Sequence, residues 1–462
     1  MINRFTIPGF AILATCFLIS SCKKTDDTFK VSKHETTAGA AVSDAAPLCG
    51  PIKGTMLSGK TYEIGCDVVI NKGDTLLIQP GVTIKVNPNV AFIVKGTFIS
   101  LGTQAQPNWI STFTPKTDNP GVSPATDPAY AGKWYGINCD TSCSLFVMKW
   151  THVEFAGATW SSVPVTGLAT NTPSWAVFFQ NLRGNCIIED SWFYGGTDVA
   201  IQVSFGKISI MRNTFEKNGQ FGGESINAKS GTVGDIAYNL FIGAATNGAK
   251  ISNAGASPVQ CNINFYNNTL VNCGYRQATW AAHGAGINYE KQAKGKIYNN
   301  LMVNCRLGIR IVSTADTANT FYGYNYYYVD SQYNANNIYP VGDVTKPQLT
   351  DIPDINVLIP TLTTTYHPGA AYTAPSSIPG ANKPKFLNFT LPQSQYQQIA
   401  YAKGFDFHLT ASSPAAGKGN ATIFSPMGLV PVDENYGATE ITAPGTDAGC
   451  YQLNATGNHH QE

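Results

Sequence analysis

Asparagine recurs in one frame along the middle of the chain. The fragments Met211-Arg-Asn-Thr-Phe215, Ala237-Tyr-Asn-Leu-Phe241, Tyr266-Asn-Asn-Thr-Leu270, Tyr298-Asn-Asn-Leu-Met302 and Tyr324-Asn-Tyr-Tyr327 align on Asn213, Asn239, Asn268, Asn300 and Asn325. Each of these asparagines stands two residues before a large apolar side chain. Their separations are 26, 29, 32 and 25 residues. Unequal spacing around one short length fits a three-sided coil of short strands with loops inserted between them. Each coil passes a tight bend that wants a residue tolerant of the left-handed region. Amides stacked one coil apart, about 4.8 Å, can bond to one another and to the bend backbone. The apolar residues that follow then point inward, so Phe215, Phe241, Leu270 and Met302 should form one stack. Cys273 and Cys305 follow their ladder asparagines by the same interval and should lie one above the other. They would be either a disulfide or two buried thiols.

Upstream, Thr75-Leu-Leu-Ile-Gln-Pro-Gly-Val-Thr-Ile-Lys-Val86 alternates, with Ile78, Val82, Ile84 and Val86 on one side and Gln79, Thr83 and Lys85 on the other. That is a strand period, and no stretch shows a convincing helical one. The sequence therefore predicts an all-β chain: a single-stranded right-handed parallel β-helix with an Asn ladder, loop insertions and an irregular C-terminal region. The expected limits are 49–330 for the β-helix and 331–462 for the C-terminal segment. Asp330 to Leu387 is expected to lie against the last coils and cover an otherwise open sheet edge. Cys49 to Cys66, a candidate disulfide, is expected to close the other end. Cys139 and Cys143 form a second candidate pair among the 11 cysteines.

Thirty basic and 29 acidic residues give a net charge of +1, which offers no electrostatic reason to expect nucleic acid as a partner. Residues 1–21 read as a targeting signal, with Arg4 ahead of an apolar run from Phe10 to Ile19. Ile19-Ser20-Ser21-Cys22 resembles the lipobox of bacterial lipoproteins, which implies lipidation of Cys22. Residues 22–48, polar and rich in Thr, Lys, Asp and Ala, read as the anchor and a flexible tether. Ser21-Cys-Lys-Lys-Thr-Asp-Asp27 resembles Bacteroidetes lipoproteins, so an outer-membrane location is implied, facing either the periplasm or the cell surface. Gly73-Asp-Thr-Leu-Leu-Ile-Gln-Pro-Gly-Val-Thr-Ile84, Lys95-Gly-Thr-Phe98 and the ladder coils resemble the pectin-lyase-like superfamily. Phe407 to Gly419 and Thr446-Asp-Ala-Gly-Cys-Tyr451 are similar to the closing segments of Bacteroidetes β-helix lipoproteins, with Gln452 where an acid is usual.

In that superfamily glycan-processing sites lie on the outer face of one parallel sheet. Asp198 and Glu224 stand equally far before Asn213 and Asn239, which places them on adjacent coils, where two carboxyls could act as an acid/base or nucleophile pair. Arg310, in Gly308-Ile-Arg-Ile311, points outward. Gly196-Thr-Asp198, Gly223-Glu-Ser225, Ala282-His-Gly284 and Arg310-Ile-Val312 faintly resemble the motif series of polygalacturonases. Ser225 and Val312 depart from that series, and His283 lies too far along. A lyase reading would imply calcium, with Arg310 or Lys291 as base; no protein metal site is otherwise expected. Glu189-Asp190 and His152-Val-Glu154 read as surface bends. Aromatic residues make up 11% of the chain, and Tyr275, Trp280 and Asn288 are the expected carbohydrate-binding residues, flat rings being suited to apolar sugar faces. The sequence thus leaves a glycan-recognising or adhesive lipoprotein without catalysis, a polysaccharide lyase or hydrolase, and a structural spacer as its three readings. It favours the first.

Overall fold

The computed structural model describes residues 39–114, 116–119, 121–276, 284–329, 383–391, 404–430 and 441–460. The expected lipid site at Cys22, the tether before residue 39 and most of the 330–387 excursion lie outside these residues. The chain is a parallel β-helix. One coil shows the pattern: Ile201–Val203, Gly206–Met211 and Thr214–Glu216 lie on three sides, and the next coil repeats them as Ile226–Ala228, Thr232–Ala237 and Leu240–Ile242. Every pairing between coils is parallel. The second side alone is a ladder of ten strands, from Gly54–Met56 to Thr320–Gly323. No helix among the described residues is long and apolar enough to cross a membrane.

Strands this short persist because each is held above and below by its neighbours while alternate residues fill the interior. Phe193, Phe215 and Phe241 stack with ring centroids 5.1 and 5.0 Å apart. Leu270, Met302 and Tyr327 continue the column in register, all buried. At the bend between the second and third sides, the backbone N–H of Asn213 donates to Asn239 Oδ1 at 2.9 Å. Asn239 donates likewise to Asn268, Asn268 to Asn300, and Asn300 to Asn325. Ser191 and Thr151 extend the ladder downward, each offering its backbone N–H to the hydroxyl or amide oxygen one coil on. The left-handed residue of each bend is not the ladder asparagine but the one before it: Asp190, Arg212, Tyr238, Asn267, Asn299 and Tyr324 have φ between 49° and 59°. The asparagine must keep its amide inside to reach the next coil, so its outward-pointing predecessor takes the positive φ.

Cys49 and Cys66 are joined by a disulfide at the first coils. Cys139 and Cys143, expected as a pair, are instead unbridged thiols buried in the core, as are Cys273 and Cys305, which occupy stacked positions on adjacent coils. The described C-terminal pieces run along the flank of the coils. Phe386, Phe389, Phe407, Leu409 and Tyr451 cover the apolar outer side of the third sheet at Leu240, Ile242, Leu301, Val303, Tyr326 and Tyr328. Val430 covers Leu145, Val147 and Ile187 on the second.

Candidate functional site

The outer face of the first sheet is where polar residues accumulate. Its outward column reads Ile93, Asn138, Phe178, Gln202, Asn227, Lys250, Asn288 and Arg310, one residue per coil and in register. Intervening residues such as Val177, Val203, Ile226, Ile251, Ile287 and Ile309 turn into the core, so alternation alone aims this column outward. The column has two halves. Ile93 and Phe178 are covered by the insertion 157–175 and belong to an apolar cluster with Tyr135, Trp160 and Val165. From Gln202 to Arg310 every member is polar.

Lys250 is the hub of the polar half. Its Nζ lies 3.4 Å from Glu290 and 3.9 Å from Glu224, carboxylates on the coils to either side. Glu290 also accepts from Ser252 Oγ and Asn288 Nδ2, both at 3.1 Å. Arg310 donates to Asn288 Oδ1 at 2.8 Å. Glu224 accepts from Asn227 Nδ2 at 3.3 Å and Asn247 Nδ2 at 3.5 Å. Two atoms in this region, Asn227 Oδ1 and Ser225 Oγ, are buried without a hydrogen-bond partner. A buried polar atom left open costs free energy unless water or a ligand satisfies it.

Asp198 and Glu224 lie on adjacent coils: a Cβ added at Gly223 would come within 2.6 Å of Asp198 Oδ1. Asp198 accepts from Trp175 Nε1 at 3.4 Å. Burial raises both carboxyls above their ordinary range. The Trp175 bond opposes this at Asp198, and Lys250 opposes it at Glu224, where Asp198 adds to the rise. At Glu290 burial pushes upward too, but Lys250 and the bonds from Asn288 and Ser252 outweigh it and hold the carboxyl low. Burial lowers the Lys229 ammonium, and its neighbour Lys250 lowers it further.

Arg310 does not converge on the carboxyl pair. It stands three coils beyond Glu224, roughly 14 Å at the ordinary strand spacing, and engages Asn288 instead. Asn288 is in the ribbon and 1% exposed. Tyr275 is likewise buried, at 7% exposed. Trp280 and His283 lie outside the described residues. Calcium finds no fitting ligand set among the described residues of this face, because Glu224 and Glu290 flank an ammonium. Among the described residues no group of three His, Cys, Asp or Glu side chains could hold a metal. Glu189 and Asp190 are interior ion partners of Arg212 and Lys149, not surface residues. His152 and Glu154 are buried as well, His152 in a ring stack with Trp109 and Glu154 beside Lys116.

Lys250 and Lys229 are the members that sequence reasoning missed. Counting back from the ladder asparagines fails for Lys250 because the loop between the first and second sides is longer in its coil than in its neighbours. Comparison with known protein families, curated proteins and solved structures finds no match to this chain.

Proposed function

We propose that this protein is an exported, lipid-anchored outer-membrane protein that recognises polysaccharide along the outer face of its first sheet, without cleaving it. The observation that supports this is the column Gln202–Asn227–Lys250–Asn288–Arg310. It is an in-register run of amide and cationic side chains on one sheet, in which Gln202, Asn227 and Asn288 are buried and Lys250 and Arg310 half-buried. Hydroxyl-rich chains are held by such ribbons because each sugar presents both donors and acceptors at a repeating interval. The lipid anchor and the location rest on the resemblance of residues 1–27 to bacterial lipoproteins.

A second reading, a hydrolase, is favoured by one observation: Asp198 and Glu224 lie on adjacent coils, and the Asp198 charge adds to the burial that raises the Glu224 carboxyl, as suits the acid member of such a pair. Against it, Glu224 is tied to Lys250 and two asparagine amides, and Arg310 is remote.

The test is a glycan array with a reducing-end assay on the Lys23–Glu462 protein, beside Lys250→Ala and an Asp198→Ala/Glu224→Ala double variant. Binding that falls at least about tenfold in Lys250→Ala, the scale of one lost charged contact, with no sugar released, supports recognition. Release of reducing ends that the double variant abolishes replaces it with the hydrolase. Absence of both would leave a structural spacer.

A further inference from the structure

The polar ribbon has a built wall at one end. Residues 157–175 leave the third side, fold over the outer face of the first sheet and return to it. The excursion is closed on itself. Trp160 N–H donates to Thr172 O at 3.0 Å, Asn171 N–H to Trp160 O at 2.8 Å, and Ser174 N–H to Ala158 O at 2.9 Å. The Trp160 ring lies flat on Tyr135, with centroids 4.1 Å apart and planes 9° from parallel. At its far point Gly167, with φ of 84°, comes so near the Phe178 ring that a Cβ there would be 3.1 Å from Cζ. Gln180 Nε2 pins the same turn through Thr166 O at 2.7 Å. Phe178 is left 1% exposed.

The wall stands on the coil immediately before Gln202, where the polar run begins. At its foot the half-buried Trp175 packs edge-on against Phe178 and donates to Asp198. A carboxyl and an indole thus meet where the ribbon stops. From Gln202 to Arg310 the column climbs four coil steps, about 19 Å.

From this we infer that the ribbon takes its glycan end-on: one terminus of the polysaccharide chain seats against Trp175 and Asp198, and the chain runs away from the wall towards Arg310. The inference rests on the glycan-recognition reading. An extended chain laid along the column cannot continue past Gln202, because the insertion occupies the space above Phe178. The terminal sugar is the unit whose extra hydroxyl, absent from every interior unit, meets Asp198, and its apolar face meets Trp175.

The experiment is a length series. Linear oligosaccharide ladders cut from xylan, mannan, cellulose and polygalacturonate, each beside its parent polymer, are titrated against the Lys23–Glu462 protein by calorimetry. End-on seating predicts that affinity per mole of chain rises until the ribbon is filled and then stays flat up to the polymer, since each chain has one such terminus. Affinity per mole of chain that keeps rising in proportion to length would overturn the inference alone, because every interior register would then bind. No binding by any ladder or polymer overturns the recognition reading and this inference with it. Trp175→Ala is expected to lower affinity for every ladder member bound by the wild type. Trp160→Ala, which removes the ring that seats the insertion on Tyr135, is expected to turn the flat limb into a rising one. A merely structural role for the insertion would leave that slope unchanged.

Discussion

Asn268 shows how much one side chain of this ladder holds. Its Oδ1 accepts from the backbone and side-chain nitrogens of Asn239, and its Nδ2 lies within 3.1 Å of Ile236 O, Tyr266 O and Asn300 Oδ1. Alanine there would strand several buried polar groups on three coils. Asn268→Ala is therefore expected to destabilise by roughly 3 kcal/mol, read as a lower denaturation midpoint. Arg212 is the charged counterpart. It bonds both oxygens of Asp190 at 2.8 and 3.0 Å and lies 3.3 Å from Glu189. Burial already raises the Glu189 carboxyl despite Lys149 and Arg212. Arg212→Met should cost about 3–5 kcal/mol by leaving buried acids short of a partner. A loss below about 1 kcal/mol, the worth of an exposed pair, would show that solvent reaches the site.

The C-terminal segment is held by the side chains that the left-handed bend throws outward. Arg212 reaches Thr442, Tyr238 reaches Ala443 O, Asn267 reaches Asp447 O, and Asn299 reaches Asn420 O. Asp235 adds the backbone N–H groups of Met427 and Gly428. Asn267→Gly keeps the positive φ at no steric cost yet removes the grip. It should leave the coils intact and speed amide exchange in 441–460. The tail also carries a pH dependence. His460 is buried against Trp192 and His152, and burial, with Lys116 nearby, lowers it to about 3. Burial, then His460 and Lys116, depress His152 in the same direction. Both imidazoles are neutral when folded and bind protons below about pH 6.5 when released. Their stabilisation is complete above that pH and falls on acidification, by about 1.4 kcal/mol per pH unit for each group. Raised carboxyls such as Glu224 and Asp235 act with the opposite sign, taking up protons while folded. Protection factors in 457–460, corrected for the intrinsic pH dependence of exchange, should therefore fall between pH 6.5 and 4.5 while those of the first sheet do not follow, and His460→Phe should flatten the response of the tail. Uniform loosening of tail and coils would refute this local account.

At the scale of the whole molecule, each strand of a coil pairs only with strands of the coils directly before and after it, so the core is built up coil by coil. Phe215 lies between Phe193 and Phe241 and is fully buried. Phe215→Ala should cost about 3–5 kcal/mol and raise exchange mainly in the coils that carry those three rings. Equal loss of protection from the Cys49–Cys66 end to Tyr328 would mean that the coils open as a single unit. The outer faces divide the same way. The C-terminal segment covers apolar positions on the second and third sheets, and the insertion 157–175 covers the early coils of the first. The polar half of the first sheet is set apart by its chemistry as the candidate site.

The repeating asparagines and the strand-period alternation were enough to read the parallel coils, the inward Phe215–Phe241–Leu270–Met302 column and the stacking of Cys273 on Cys305. Those properties depend on spacing within a coil, and spacing is written in the chain. The adjacency of Asp198 and Glu224 was legible for the same reason, since their two coils have nearly equal length. Lys250 was not, because a loop insertion shifts it relative to its ladder asparagine. Nor were the burial of Tyr275, the ionic interior around Arg212 or the distance of Arg310 from the carboxyl pair. Each of these depends on what covers a coil from outside, and on how many coils lie between two residues. Sequence periodicity carries the inside of a solenoid; loops and a returning C-terminal segment, brought from far along the chain, decide its outside.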